Sequence, residues 1–216
     1  MSDGQLVKVN ELTGAMVPSM DAFDAVSASS FLPQLKLGGS QSEPVKEGKV
    51  KMGAYYTKSG EAVTDHGNEV DAIAITWQPK ALDYSDRENI VSSTDHQSEL
   101  FKEIKAKADV KDSECLCGFE FLVWLKGENK FVTFYLCSKS QKKVAPELNN
   151  LLGKAATFKS KLVKNARFSW HVPVFTECPT PMTPPSNEAI NDAIVKFKAE
   201  SASETEVVKD DSGRER

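Results

Sequence analysis

Phe119-Glu120-Phe121-Leu122-Val123-Trp124-Leu125, then Lys126-Gly127-Glu128-Asn129, then Lys130-Phe131-Val132-Thr133-Phe134-Tyr135-Leu136: this stretch decides the fold class. Both runs are rich in aromatic and β-branched residues, which suit a pleated, half-buried surface. Gly127-Glu128 between them reads as a two-residue hairpin turn with glycine first. That register predicts Trp124 opposite Phe131, Val123 opposite Val132 and Phe121 opposite Phe134. Phe119, Phe121, Val123, Val132, Phe134 and Leu136 then share a core face, because successive strand residues alternate sides. The other face carries Leu122, Trp124, Phe131, Thr133 and Tyr135. A hairpin with aromatics on both faces is either covered twice or offers one face to a partner.

Upstream, strands are expected at Phe31–Leu37, Val50–Thr57 and Val70–Trp77, the last closed by Pro79. In Val70–Trp77, strict alternation sets Val70, Ala72, Ala74 and Thr76 against Asp71, Ile73, Ile75 and Trp77. Asp83–Gln97 reads as a polar loop, and Ser98 as the N-cap of a helix through Ala108. Downstream, Ser138–Lys143 reads as a polar basic loop before a short helix with Pro146 at its first position and Gly153 at its stop. Strands over Ala156–Lys164 and Phe168–Phe175 follow. Pro179–Pro185 is an extended linker, and Ser186 caps an amphipathic helix to Ala199. The division expected is a disordered arm over 1–30, a β domain over 31–178, the linker and helix over 179–199, and a disordered charged tail over 200–216.

The chain has 216 residues, 40% hydrophobic and 27% charged, enough for one core-bearing domain. No apolar run reaches the roughly 20 residues a spanning helix needs, and Met1–Asn10 lacks the pattern of a secretory signal. A cytoplasmic protein is expected, in a host cell if viral, with no membrane partner. Catalytic and cofactor signatures are missing: His66, His96 and His171 are scattered, and Gly38-Gly39 lacks the lysine and context of a phosphate loop. The expectation is no enzyme and no cofactor. Cys115 and Cys117 are too closely spaced for a zinc knuckle; a thiolate site with Cys137 and Cys178 is conceivable, but reduced, half-buried thiols are the simpler reading.

The net charge of −4 hides a division. Residues 126–176 hold ten basic residues against Glu128 and Glu147, so that this stretch carries +8 and the remainder −12. Single-strand binding needs flat rings for bases and cations for phosphates. Trp124, Phe131 and Tyr135 are the candidates for the first role. Lys126, Lys139, Lys142, Lys143, Lys159, Lys161, Lys164 and Arg167 are the candidates for the second.

The order strand, strand, hairpin, short helix, closing strands resembles the OB-fold, with its helix between the third and fourth strands. Through the Phe119–Leu136 hairpin, the Ser138–Lys143 loop with its helix, and the Ala156–Lys164 strand, the chain resembles the OB-fold single-stranded DNA-binding proteins of phages and other viruses. The resemblance implies a mainly β, five-stranded antiparallel barrel plus a C-terminal helix. It also implies non-catalytic, sequence-tolerant binding of single-stranded DNA, RNA being the alternative polymer, during viral replication or recombination. Replication or recombination proteins are the partners it implies, and an oligomer is possible. The family's acidic tail with an apolar tip is not matched, since this chain ends Gly213-Arg214-Glu215-Arg216. Two other function classes stand beside this one: a structural or virion-associated protein that self-assembles through the aromatic hairpin, and a small enzyme with an unrecognised site.

Overall fold

The computed structural model describes residues 32–203 except 60, 87–89, 111, 112 and 167. The expected arm over 1–30 and most of the expected tail lie outside the described residues.

The chain forms β1 (Gln34–Leu37), α1 (Glu43–Lys46), β2 (Tyr55–Ser59), β3 (Ala62–Gly67), β4 (Glu69–Asp83), β5 (Val91–Ser93), α2 (Glu99–Ala108), β6 (Cys115–Leu125), β7 (Lys130–Leu136), α3 (Lys139–Asn149), β8 (Ala155–Lys164), β9 (Ser169–Glu177) and α4 (Asn187–Ser203). The strands make one nine-stranded mixed sheet in the order β3-β2-β1-β7-β6-β4-β8-β9, with β5 paired to β4. This overturns the five-stranded OB barrel. The pairing responsible is β1 with β7, which is parallel and places Leu35 beside Phe134 across a long stretch of intervening chain. A parallel neighbour requires a crossover, so the strands are not the antiparallel succession that the barrel needs.

The hairpin register is as expected: Trp124 pairs with Phe131, Val123 with Val132 and Phe121 with Phe134. Its turn differs in mechanism. The positive φ of 50° falls on Asn129, whose N–H donates to the Lys126 carbonyl at 3.3 Å, rather than on Gly127. At the other end of the hairpin, Gly118 is required by close approach: a Cβ there would sit 2.2 Å from the Leu136 carbonyl oxygen.

Strand β4 is the spine. It pairs with β6 along Ala72–Asp83, while its other edge pairs with β8 over Glu69–Ile73 and with β5 over Ala81–Asp83. Pro79 does not close it. It lies between the β8 and β5 pairings, where no ladder needs the N–H that proline lacks. A bulge between Ala74 and Thr76 also breaks the expected alternation. Thr76 pairs with Leu122, on the side of Ile73 and Ile75, and Trp77 pairs with Phe121, on the side of Ala72 and Ala74.

The sheet curls around its inner face. Leu35, Tyr55, Phe121, Val123, Phe134, Phe158 and Phe175 form the principal core, closed by Ala145 and Leu148 of α3. Tyr55 spans the concavity, with its ring against Phe134 and Phe158 and its hydroxyl donating to the Lys159 carbonyl at 3.0 Å. Helix α2 packs on the same face at the far end, against Ala81 and Cys115. Its Ser98 cap accepts from the Phe101 N–H, as expected.

Helix α3 starts earlier than the sequence reading has it. Ser138 and Gln141 form a reciprocal capping box, so the supposed basic loop is the first turns of the helix and Pro146 lies inside it. Helix α4 covers the outer face. Its Ser186 cap accepts from the Ala189 N–H, and Ala193 and Phe197 are buried against Ile73, Ile75, Leu122 and Trp124. Beside this cluster, Lys80 and Glu120 form a buried 3.0 Å ion pair, and the Gln78 amide donates to the second Glu120 oxygen.

Candidate nucleic-acid interface

The aromatic platform proposed from the sequence is largely covered. Trp124 is only 6% exposed and Phe131 is half-buried, both within the cluster beneath α4. Tyr135 donates its hydroxyl to the Lys80 carbonyl at 3.0 Å, and burial raises its pKa well above that of an ordinary tyrosine. These three residues build the outer layer of the fold.

The candidate cations divide between two ends of the sheet. Lys139, Lys142 and Lys143 lie on the first turns of α3, which follows directly from the end of β7. Lys126 stands at the opposite, turn end, where its N–H donates to the Asp71 carbonyl at 3.1 Å. Asp71 in turn accepts from Thr157 on β8, which brings the turn beside the base of β8. Lys159, Lys161 and Lys164 continue along β8 from there, and Lys159 pairs with Glu69 at 3.0 Å. Arg167 lies outside the described residues.

Strands β8 and β9 form a two-stranded ribbon. Pairing with β4 ends at Lys159, and among the described residues the ladder from Lys161 to the tip joins β8 to β9 alone. The ribbon register was not anticipated, and it matters. Lys159 pairs with Val174, Lys161 with Val172 and Val163 with Trp170. One face therefore carries Lys159, Lys161, Val163, Trp170, Val172 and Val174 together. Both lysines on it are exposed, while Val163 and Trp170 are half-buried.

At the tip, Phe168 is 70% exposed. Asn165 fixes the turn from both sides: its Oδ1 accepts from the Phe168 N–H at 2.7 Å, and its N–H donates to the Phe168 carbonyl at 2.9 Å. A side chain that bonds its neighbouring backbone stabilises a turn locally, so the exposed ring stands on a pinned loop. On the opposite face, the His171 ring lies where a Cβ on Gly53 would come within 2.5 Å, and Gly53 has φ 84°. That contact seats the ribbon on the segment preceding β2.

The remaining chemistry is sparse. The four cysteines are free thiols, and among the described residues no cluster of His, Cys, Asp or Glu could hold a metal ion. Nor is any described helix long and apolar enough to cross a membrane. The sequence reading did not single out Phe168 and Trp170. Their signal was the alternation of Lys159 and Lys161 with apolar residues, but only the β8–β9 register shows that lysines and rings share a face. No protein-family model, curated protein or solved structure matches the chain.

Proposed function

We propose that the protein is a non-catalytic, sequence-tolerant single-stranded DNA-binding protein whose contact surface is the β8–β9 ribbon. The observation that carries this reading is the ribbon register, which sets Lys159 and Lys161 among Val163, Trp170 and Val172 beside the exposed Phe168 tip. Unstacked bases lie on aromatic faces, and lysines follow the phosphates without reading sequence. Sequence tolerance follows from the kind of contact proposed, since stacking and phosphate contacts carry no base identity. Such a module suits the strands exposed in replication or recombination.

A second reading rests on the same ring. An exposed phenylalanine on an edge ribbon also suits contact between copies of the chain, as in a structural, self-assembling protein. Fluorescence-anisotropy titration of a labelled single-stranded oligonucleotide, alongside a matched duplex and sedimentation without DNA, separates the two. Preferential, salt-sensitive binding of the single strand is the expected result. Absence of strand binding together with concentration-dependent assembly would overturn the proposal in favour of self-assembly.

A further inference from the structure

The basic face of the ribbon does not continue across the sheet. Strand β4 runs beside β8 at the ribbon's base, and its register sets Glu69 against Lys159 and Asp71 against Thr157. Both acids project from the outer face, because they alternate with Val70 and Ala72, which pack into the inner core. They therefore lie on the same side as Lys159, Lys161 and Trp170. Glu69 is exposed and holds the Lys159 ammonium at 3.0 Å. Asp71 is half-buried. Its Oδ1 accepts from the Thr157 hydroxyl at 2.8 Å and the Cys178 thiol at 3.8 Å, which fix the carboxylate without cancelling its charge. The next β4 residue on this face, Ile73, is already buried beneath α4.

Charge on this face thus changes sign where the ribbon joins the body. Outward from Lys159, past the last pairing with β4, comes the exposed Lys161. The face from Lys159 to Val163 spans about 13 Å at roughly 3.3 Å per residue. Inward come the two carboxylates. Lys126 stands beyond them, on the β6 side of Asp71, where its N–H donates to the Asp71 carbonyl at 3.1 Å. A phosphate chain leaving the ribbon for Lys126 has to pass both acids. Within a Debye length, about 8 Å at physiological salt, like charges are not fully screened, so a phosphate beside either carboxylate is repelled.

We propose that Glu69 and Asp71 are positioning residues that set the inner limit of the single-strand site, confining the strand to the ribbon from Lys159 to the tip. The inference rests on the ribbon reading, since a limit has meaning only where a strand is bound. It assigns a short site, near the lower end of the about 4–16 nucleotides that compact single-strand modules cover.

The test titrates the full chain with oligothymidylates of about 4 and about 12 nucleotides at several salt concentrations. The variants are Glu69→Gln with Asp71→Asn, which keeps an acceptor for Thr157, then Lys126→Gln in both backgrounds, and Phe168→Ala as the reporter of the ribbon. Corrected for the number of registers a longer strand offers, wild type should bind both lengths equally. Neutralising the two acids should raise the ratio of long- to short-strand affinity severalfold, a change that a general loss of negative charge does not produce. The long-strand salt slope should steepen by about 0.7 relative to the short one as Lys126 gains a phosphate. Lys126→Gln should cancel that gain in the neutralised variant and be silent in wild type. Glu69→Gln alone, at an exposed position, should shift the ratio the same way by less, and keeps the test open if Asp71→Asn disturbs the fold. An unchanged ratio in the neutralised variants, with binding weakened by Phe168→Ala, would overturn the limit and leave the ribbon standing. Loss of long-strand affinity on Lys126→Gln in wild type would also overturn it, since the strand would already cross the acids. Absence of wild-type binding at both lengths would overturn both readings.

Discussion

Trp124 of β6 and Phe197 of α4 share one buried cluster on the outer face of the sheet, at 6% and 2% exposure. That relationship makes the C-terminal helix part of the fold. It also converts the most conspicuous aromatic of the hairpin from a ligand contact into a packing residue. Trp124→Ala should therefore lower folding stability by about 3–5 kcal/mol, the usual cost of emptying a buried tryptophan site. Strand affinity, measured well below the melting transition, should change little. Urea unfolding and anisotropy titration of the same variant check both halves.

His66 ties β3 to the β6–β7 turn. Its Nδ1 lies 3.3 Å from Glu128 Oε1, and its Nε2 is 3.1 Å from the Thr57 hydroxyl. Desolvation by burial holds its pKa below the ordinary 6.5, although Glu128 pulls the other way. A depressed histidine is neutral in the folded state where the unfolded chain already takes up a proton. Its contribution is thus fully present above the unfolded value and is lost as pH falls through the lower folded value. Stability measured by denaturant between about pH 8 and pH 5 should decline on acidification, spanning the ordinary histidine value. His66→Gln should flatten part of that decline.

Legibility in the sequence followed the range of the interaction that sets each feature. The Trp124–Phe131 register was readable because alternating apolar residues flank a short turn, and the helices after Ser98 and Ser186 were readable from their caps. The parallel β1–β7 pair was not, since no local pattern records which distant strand Leu35 will join. Pro79 looked like a strand end because the missing partner on that edge of β4 is a tertiary fact. Ser138 and Gln141 did spell a capping box; the surrounding lysines and Pro146 obscured it. The candidate site divided in the same way. Its lysines were visible as charge, but which rings accompany them depends on the β8–β9 register, in which Val163 faces Trp170.

Salt should report on the ribbon lysines directly. Neutralising phosphates on a single strand releases counterions, so the logarithm of affinity falls against the logarithm of salt with a slope of about −0.7 per contact. Lys161 and Lys164 are exposed and, among the described residues, outside the ion pairs of the fold, whereas Lys159 already pairs with Glu69. Lys161→Gln should reduce the slope by about 0.7. Lys164→Gln, at a position that pairs with Ser169 and faces the opposite side of the ribbon, should reduce it by less, as should Lys159→Gln. Titrations of each variant at several salt concentrations check the ordering.

The most direct measurement is the single-strand affinity of Phe168→Ala alongside its stability. Phe168 is 70% exposed at the ribbon tip, so its removal should leave stability within about 0.5 kcal/mol of wild type, as for other surface substitutions. Loss of one stacked base should weaken oligothymidylate binding by about 1–3 kcal/mol. Weakened binding at unchanged stability is the predicted result. Unchanged affinity in a stable Phe168→Ala variant would contradict the ribbon tip as the place where the strand is held.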